Sequence, residues 1–213
     1  MRNRVSRLTD AQLYLICDAK SDDFLHAALR GGVDLVQLRM KAAADDEIVG
    51  TARRFGAACA AYDALLILND RPDLVVPSGA DGVHVGQDDE SVASARAVVG
   101  EDRIVGLSTH SRAQIDAARG VDYIGVGPVH ETPTKPGRPA VGLELVSYAA
   151  AQASGPFFAI GGVTPRNVSE IRAAGASRVA VVRALTEADD PEQTARQLKH
   201  ALKTDEEASV GAT

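Results

Sequence analysis

The sequence predicts an α/β chain folded as a (β/α)8 TIM barrel, and three observations carry that prediction. Short apolar, β-branched runs alternate with Ala-rich helical stretches, the alternation recurs eight times, and the runs are apolar enough for burial on both faces. A doubly wound open sheet is the alternative. Eight units of about 27 residues nearly exhaust the 213 available, which puts the barrel near the lower end of the size range. No Ser/Gly-rich linker or composition shift marks a boundary, so residues 1–203 read as one catalytic domain. Residues 204–213 are acidic, small and aperiodic, which predicts a disordered tail.

Taken in order, LYLIC (13–17) is the first strand, and the helix after it, over 22–29, is stopped by Gly31-Gly32. DLVQLR (34–39) leads into a helix over 46–61, LLILN (65–69) into a short helix near 72–76, and GVHV (82–85) into a helix over 91–99. In the second half IVGL (104–107) precedes a helix over 112–119, and YIGVG (123–127) precedes one over 143–153. FFAI (157–160) is followed by a helix over 167–174, and VAVV (179–182) by a helix over 192–203.

Charge and cysteine content limit the function classes. With 23 Lys+Arg against 29 Asp+Glu the net charge is −6, so the chain lacks the basic field of a nucleic-acid binder. Cys17 and Cys59 make neither a disulfide framework nor a paired metal site and read as reduced, buried, small hydrophobes of a cytosolic protein. Arg2, Arg4 and Arg7 precede the apolar run at 13–17, but Asp18 ends it too soon for a signal core, and no run approaches the ~18 residues of a membrane span. A soluble, cytoplasmic location is therefore expected.

In a (β/α)8 barrel the active site lies at the C-terminal ends of the strands. The second strand leaves the barrel with Gln37, Arg39 and Lys41 on one side by its period of two, an arrangement suited to an anion; the alternative is rim charges paired with Asp45 or Asp46. The third and fourth strands are followed by Asn69-Asp70 and by Asp89. Two carboxylates at neighbouring strand ends can hold Mg²⁺, which takes one or two protein carboxylates and fills its other positions with water and phosphate; each also reads as a helix cap, Asp70 ahead of Pro72 and Asp89 ahead of Ser91.

Ser108, Thr109 and His110 follow the fifth strand, where hydroxyls mostly cap a helix. Gly161-Gly162 after the seventh strand lies beside the end of the eighth, Val182-Arg183, where barrels bind phosphate through bare backbone N–H groups. The long connection 127–142 holds four of the nine prolines and offers Thr132, Thr134, Lys135 and Arg138 to phosphate, so it reads as a site loop rather than a linker. His84, alternating with Val83 and Val85, reads as structural. No G-x-S-x-G motif, His cluster or Cys/His pair at recognised spacing supplies a nucleophile or metal site. Two anionic sites and no nucleophile fit a reaction limited by departure of a diphosphate.

These residues fall in segments that closely resemble the thiamine-phosphate synthase (thiamine-phosphate pyrophosphorylase) family: VQLRMK (36–41), LND (68–70), ADGVHVGQDD (80–89), Gly106–Ser108 with His110, VDYIGVGP (121–128), TPTK (132–135) and AIGGV (159–163). They run in order over roughly residues 11–203. The resemblance implies a (β/α)8 barrel that joins 4-amino-2-methyl-5-(diphosphooxymethyl)pyrimidine to 4-methyl-5-(2-phosphooxyethyl)thiazole, releasing pyrophosphate by a dissociative substitution. It further implies that Gln37, Arg39, Lys41, Asn69, Ser108 and Lys135 hold the pyrimidine diphosphate, with Arg39, Ser108 and Lys135 acting in catalysis. Asp70 and Asp89 would bind Mg²⁺, and Thr132, Thr134, Gly162, Val182 and Arg183 would line the thiazole-phosphate side. Family members often carry Ser where Arg183 stands. The implied partners are two small phosphorylated substrates, with neither nucleic acid nor membrane, and self-association is left open. A thiazole tautomerase would not need Arg39 and Lys41 together with both aspartates, and a phosphate-binding isomerase would need an acid/base pair that the strand ends do not offer.

Overall fold

The computed structural model describes residues 3–131 and 139–203. Its eight strands are β1 (Leu13–Cys17), β2 (Leu35–Leu38), β3 (Leu65–Asn69), β4 (Gly82–Val85), β5 (Ile104–Thr109), β6 (Tyr123–Val126), β7 (Phe157–Ile160) and β8 (Val179–Val181). All neighbours pair parallel in chain order, and β8 pairs with β1 to close the barrel. A closed barrel leaves no strand edge to protect.

Helices α1 (Arg4–Asp10), α2 (Asp22–Arg30), α3 (Asp45–Ala61), α4 (Val75–Ser78), α5 (Val92–Val99), α6 (Arg112–Ala117), α7 (Gly142–Gln152), α8 (Val168–Ala173), α9 (Arg183–Thr186) and α10 (Pro191–Leu202) complete the described chain. Several begin at side-chain caps: Ser21, Ser91, Ser111 and Asp190 each accept a hydrogen bond from the backbone N–H three residues on.

The period of two along each strand divides the buried side chains into two sets. Leu13, Leu15, Val36, Leu38, Val83, Val85 and their equivalents join the large cluster that includes the buried faces of the helices. Tyr14, Ile16, Leu35, Leu65, Ile67, Ile104, Tyr123, Phe158 and Ala180 form a separate cluster in the barrel interior, together with Leu8 of α1. Burial of side chains of this size contributes roughly 1.5–3 kcal/mol each.

Two helices depart from the sequence expectation. α1 lies N-terminal to the first strand, where the arginines were read only against a signal sequence. It covers the lower end of the barrel: Leu8 enters the interior, Arg4 Nε donates to Asp81 Oδ1 at 2.8 Å, and Arg7 donates to Asp81 and to the Ala64 carbonyl. α9 follows β8 directly, so Arg183 opens a helix instead of ending a strand, and Val182 is its cap.

Other boundaries also shift. The expected helix near 72–76 is a 3-10 turn (Pro72–Leu74) followed by α4, and α6 ends at Ala117, ahead of the expected 119. β5 runs on through Ser108 and Thr109, so these hydroxyls are not caps; Ser111 caps α6, and Thr109 Oγ1 donates to the Gly125 carbonyl of β6 at 3.0 Å.

Candidate active site

At the upper end of the barrel the inward strand positions change from apolar to polar. Gln37 on β2, Asn69 on β3, His84 on β4 and Ser108 on β5 stand there. Gln37 is buried, and the other three are partly exposed. The residues above them fall into two groups.

The first group lies at the ends of β2, β3 and β4. Lys41 Nζ is 3.3 Å from Asp70 Oδ2, and Asn69 Nδ2 donates to the same oxygen at 2.6 Å. Asp70 holds a left-handed φ of 60°, a conformation Asp tolerates better than most residues but which still stores strain. Its N–H donates to the His84 carbonyl at 2.9 Å, tying this turn to β4. Asp89 Oδ2 accepts from Gly86 N–H at 2.9 Å.

Burial and the facing Asp89 carboxylate push the Asp70 carboxyl above the usual range, and Lys41 offsets part of the rise. Neither aspartate is a helix cap. Ser91 caps α5, and the 3-10 turn after Asp70 has no side-chain cap. Two facing carboxylates, open to solvent on one side, fit a Mg²⁺ ion that takes two protein oxygens and leaves the rest to water and phosphate. No group of three or more His, Cys, Asp or Glu is placed to hold a metal among the described residues.

Arg39 follows β2, its N–H bonded to the Cys17 carbonyl, and borders a small cleft of about 180 Å³ with Ile16, Lys20 and Val182. β2 ends at Leu38, so strand alternation holds only for Gln37; Arg39 lies beside Ile16 and Val182, and Lys41 beside Asp70. Arg71, next to Asp70 and not a predicted site residue, pairs with Asp45 and Asp73.

The second group surrounds a cavity of about 250 Å³ over the ends of β5 to β8. Ser108, Gly162, Val182 and Arg183 all line it, with Ile160 and Ala180 as its apolar floor. Gly162 has φ of +65°, and a Cβ there would sit 2.7 Å from the His130 Cβ, so the turn after β7 requires glycine on two counts. Asn167 Nδ2 donates to the Gly162 carbonyl at 2.8 Å and holds the turn from below.

Both ends of the 127–142 connection are bonded near the cavity. Val129 and His130 donate to the Ile160 and Gly161 carbonyls, and Val141 and Gly142 donate back to Pro128 and Val129. The predicted site residues Thr132, Thr134 and Lys135, like Arg138, lie outside the described residues. Arg183 is exposed at the cavity rim.

Sequence reasoning missed the groups behind Ser108. His84 Nε2 is 2.9 Å from Ser108 Oγ and His84 Nδ1 is 3.0 Å from Tyr123 Oη. Tyr123 and Tyr14 have their hydroxyls 2.8 Å apart, and Gln37 Nε2 donates to Tyr14 at 2.6 Å. Burial raises both phenols well above their ordinary value, so they stay protonated. The available signal was the glycine at 106: a Cβ there would fall 2.2 Å from the Tyr123 ring. Burial likewise pushes the Cys17 and Cys59 thiols up to about 12, in keeping with inert, apolar roles.

The sequence profile of the thiamine monophosphate synthase family matches residues 13–185. The chain is 47% identical to the thiamine-phosphate synthase of Arthrobacter sp. strain FB24, over 92% of this chain and 95% of that one. It is 45% identical to the thiamine-phosphate synthase of Thermosynechococcus vestitus, over 97% of its own length but 60% of that longer relative. Among solved structures, thiamine phosphate pyrophosphorylase from Pyrococcus furiosus superposes with a TM-score of 0.84 at 28% identity, covering 92% of this chain and 96% of the other. From strand 1 to the end of the mouth, the chain belongs to the thiamine monophosphate synthase family.

Proposed function

We propose that the chain is a transferase of thiamine biosynthesis that joins 4-amino-2-methyl-5-(diphosphooxymethyl)pyrimidine to 4-methyl-5-(2-phosphooxyethyl)thiazole, giving thiamine phosphate and pyrophosphate. The observation that carries this reading is the meeting, at one barrel mouth in a chain of this family, of the Lys41–Asp70–Asp89 cluster with the glycine-lined cavity beside Ser108. Two small phosphorylated substrates need two anion sites, and these are two chemically different ones.

In the dissociative course, the bond between the pyrimidine methylene and the diphosphate oxygen breaks and its electron pair leaves with the diphosphate. The electron-rich aminopyrimidine carries the positive charge until the thiazole nitrogen lone pair closes the new C–N bond. No protein nucleophile is required, in line with the motifs. Gln37, Arg39, Lys41, Asn69, Ser108 and Lys135 hold the pyrimidine diphosphate, and Arg39, Ser108 and Lys135 stabilise it as it departs. Near a protein surface each ion pair at 4 Å is worth roughly 4 kcal/mol before desolvation. Thr132, Thr134, Gly162, Val182 and Arg183 form the thiazole-phosphate side. Asp70 and Asp89 would hold Mg²⁺, which when bound supplies further positive charge to the leaving group.

The proposed location is the cytoplasm, supported by two buried free thiols; among the described residues no helix is long and apolar enough to cross a membrane. The test is to mix both substrates with the purified protein and follow thiamine phosphate and pyrophosphate, with magnesium and then with a chelator. No product with any divalent ion sinks the synthase reading. Product formation indifferent to chelation removes the metal.

A further inference from the structure

Five side chains from five strands form one continuous hydrogen-bond chain through the upper barrel interior. It runs from Gln37 on β2 to Tyr14 on β1, Tyr123 on β6, His84 on β4 and Ser108 on β5, with heavy-atom separations of 2.6, 2.8, 3.0 and 2.9 Å. Its two ends are residues assigned to the pyrimidine diphosphate; its three middle members are not. The two phenols are 1–2% exposed, and Phe158 packs edge-on against both of their rings.

Space has been cleared for this chain. Strand β5 carries no side chain where the Tyr123 ring lies, since a Cβ at Gly106 would be 2.5 Å from the Tyr123 hydroxyl oxygen. The lower interior is filled by Leu35, Leu65, Ile67 and Ile104, so apolar packing is available to this barrel. Buried hydroxyls and an imidazole in the next layer bring a desolvation cost that only a complete set of hydrogen bonds offsets.

Each phenol carries one proton, so the chain has a direction. Gln37 donates its amide hydrogen to Tyr14. In that direction Tyr14 passes its own proton to Tyr123, Tyr123 donates to Nδ1 of His84, and an imidazole that accepts at Nδ1 donates from Nε2 to Ser108. The Ser108 proton is then left to point at the cavity that Ser108 lines. In the reverse direction Ser108 would donate to His84 and turn only lone pairs toward an anion. Direction thus decides whether Ser108 attracts or repels a phosphate oxygen.

We propose that Tyr14, Tyr123 and His84 are positioning residues, which hold the chain in the direction that gives Ser108 a hydrogen for the departing diphosphate and leaves the Gln37 amide oxygen free to accept from the substrate. The proposal rests on the reaction assigned above. Its test uses Tyr14→Phe, Tyr123→Phe and the double variant of the full chain, with Tyr148→Phe as a control that removes a surface hydroxyl bonded to Asp116.

Each single variant should lose at least tenfold in kcat with KM for the thiazole phosphate within twofold of the parent. The double variant should fall no more than threefold below the poorer single one, because both substitutions interrupt the same chain. Tyr148→Phe should keep its kcat. In the ¹⁵N spectrum of histidine-labelled parent protein, His84 should carry its proton on Nε2, and Tyr123→Phe should mix the two tautomers. The proposal is overturned if both single variants keep kcat within twofold, if their losses multiply, or if His84 carries its proton on Nδ1. Failure of the assigned reaction is seen separately, as a parent protein that makes no thiamine phosphate; the tautomer measurement still reads the chain.

Discussion

Between β2 and β4 the mouth of the barrel centres on an ion-paired cluster of Lys41 with Asp70 and Asp89, whereas from β5 to β8 glycines, backbone and apolar residues make most of the cavity, with Ser108 inside and His130, Glu131 and Arg183 also lining it. In the first half burial and the facing Asp89 oppose the ionisation of Asp70, and Lys41 relieves only part of that. In the second half the limit is space, set by the left-handed Gly162 and its close approach to His130. A charged rim should therefore fail when charge is changed at constant volume, and a glycine rim when volume is added at constant charge.

The largest effect should come from Asp70→Asn, with turnover at least hundredfold lower, equivalent to about 2.7 kcal/mol. Its thermal midpoint without metal should be no lower than the parent's. Folding raises the Asp70 pKa, so this carboxyl makes the chain less stable as pH rises from its unfolded value through the raised one, the reverse of a salt-bridged carboxylate. Removing the charge removes that penalty. Magnesium should raise the midpoint of the parent and leave the variant unmoved; an equal rise in both would separate the metal from this pair.

Asp89→Asn and Lys135→Ala should each lower turnover at least tenfold, about 1.4 kcal/mol, with midpoints near the parent's. Unchanged turnover with a large loss of stability would mean that these groups serve the fold alone. Gly162→Ala tests the other half: KM for the thiazole phosphate should rise several-fold, and the midpoint should fall because alanine at φ +65° is strained. Arg183→Ala should be the mildest, under threefold in KM for the thiazole phosphate, since the side chain is exposed at the rim. A larger effect would show that Arg183 turns inward when the substrate is bound.

Local signals account for what could be read in advance. Eight short apolar runs stand where the strands stand, and the period of two correctly puts Gln37 inward while Val36 and Leu38 face the helices. Glycines and serines mark helix ends, since their chemistry acts within a few residues. α1 escaped because only one of its residues, Leu8, is buried, which leaves no apolar stripe to detect. The reading of His84 as structural had only its strand neighbours to go on. Its partner Tyr123 lies 39 residues away and Tyr14 meets Tyr123 across 109, contacts set by the closure of the barrel and absent from any local pattern. The cap readings of Asp70 and Asp89 fail for a local reason: Ser91 takes the cap of α5, and the 3-10 turn after Asp70 has no side-chain cap.

The helix beneath the barrel bears on the order of assembly. α1 precedes the whole barrel among the described residues, yet its arginines find their partners 57 to 77 residues later, at Ala64 and Asp81. The Thr9 carbonyl waits longer still for Arg178, 169 residues away at the start of the last strand. Such contacts bring high loop-closure entropy and form late. The helix ahead of β1 is thus among the last elements to settle, and it seals the end of the barrel opposite the mouth.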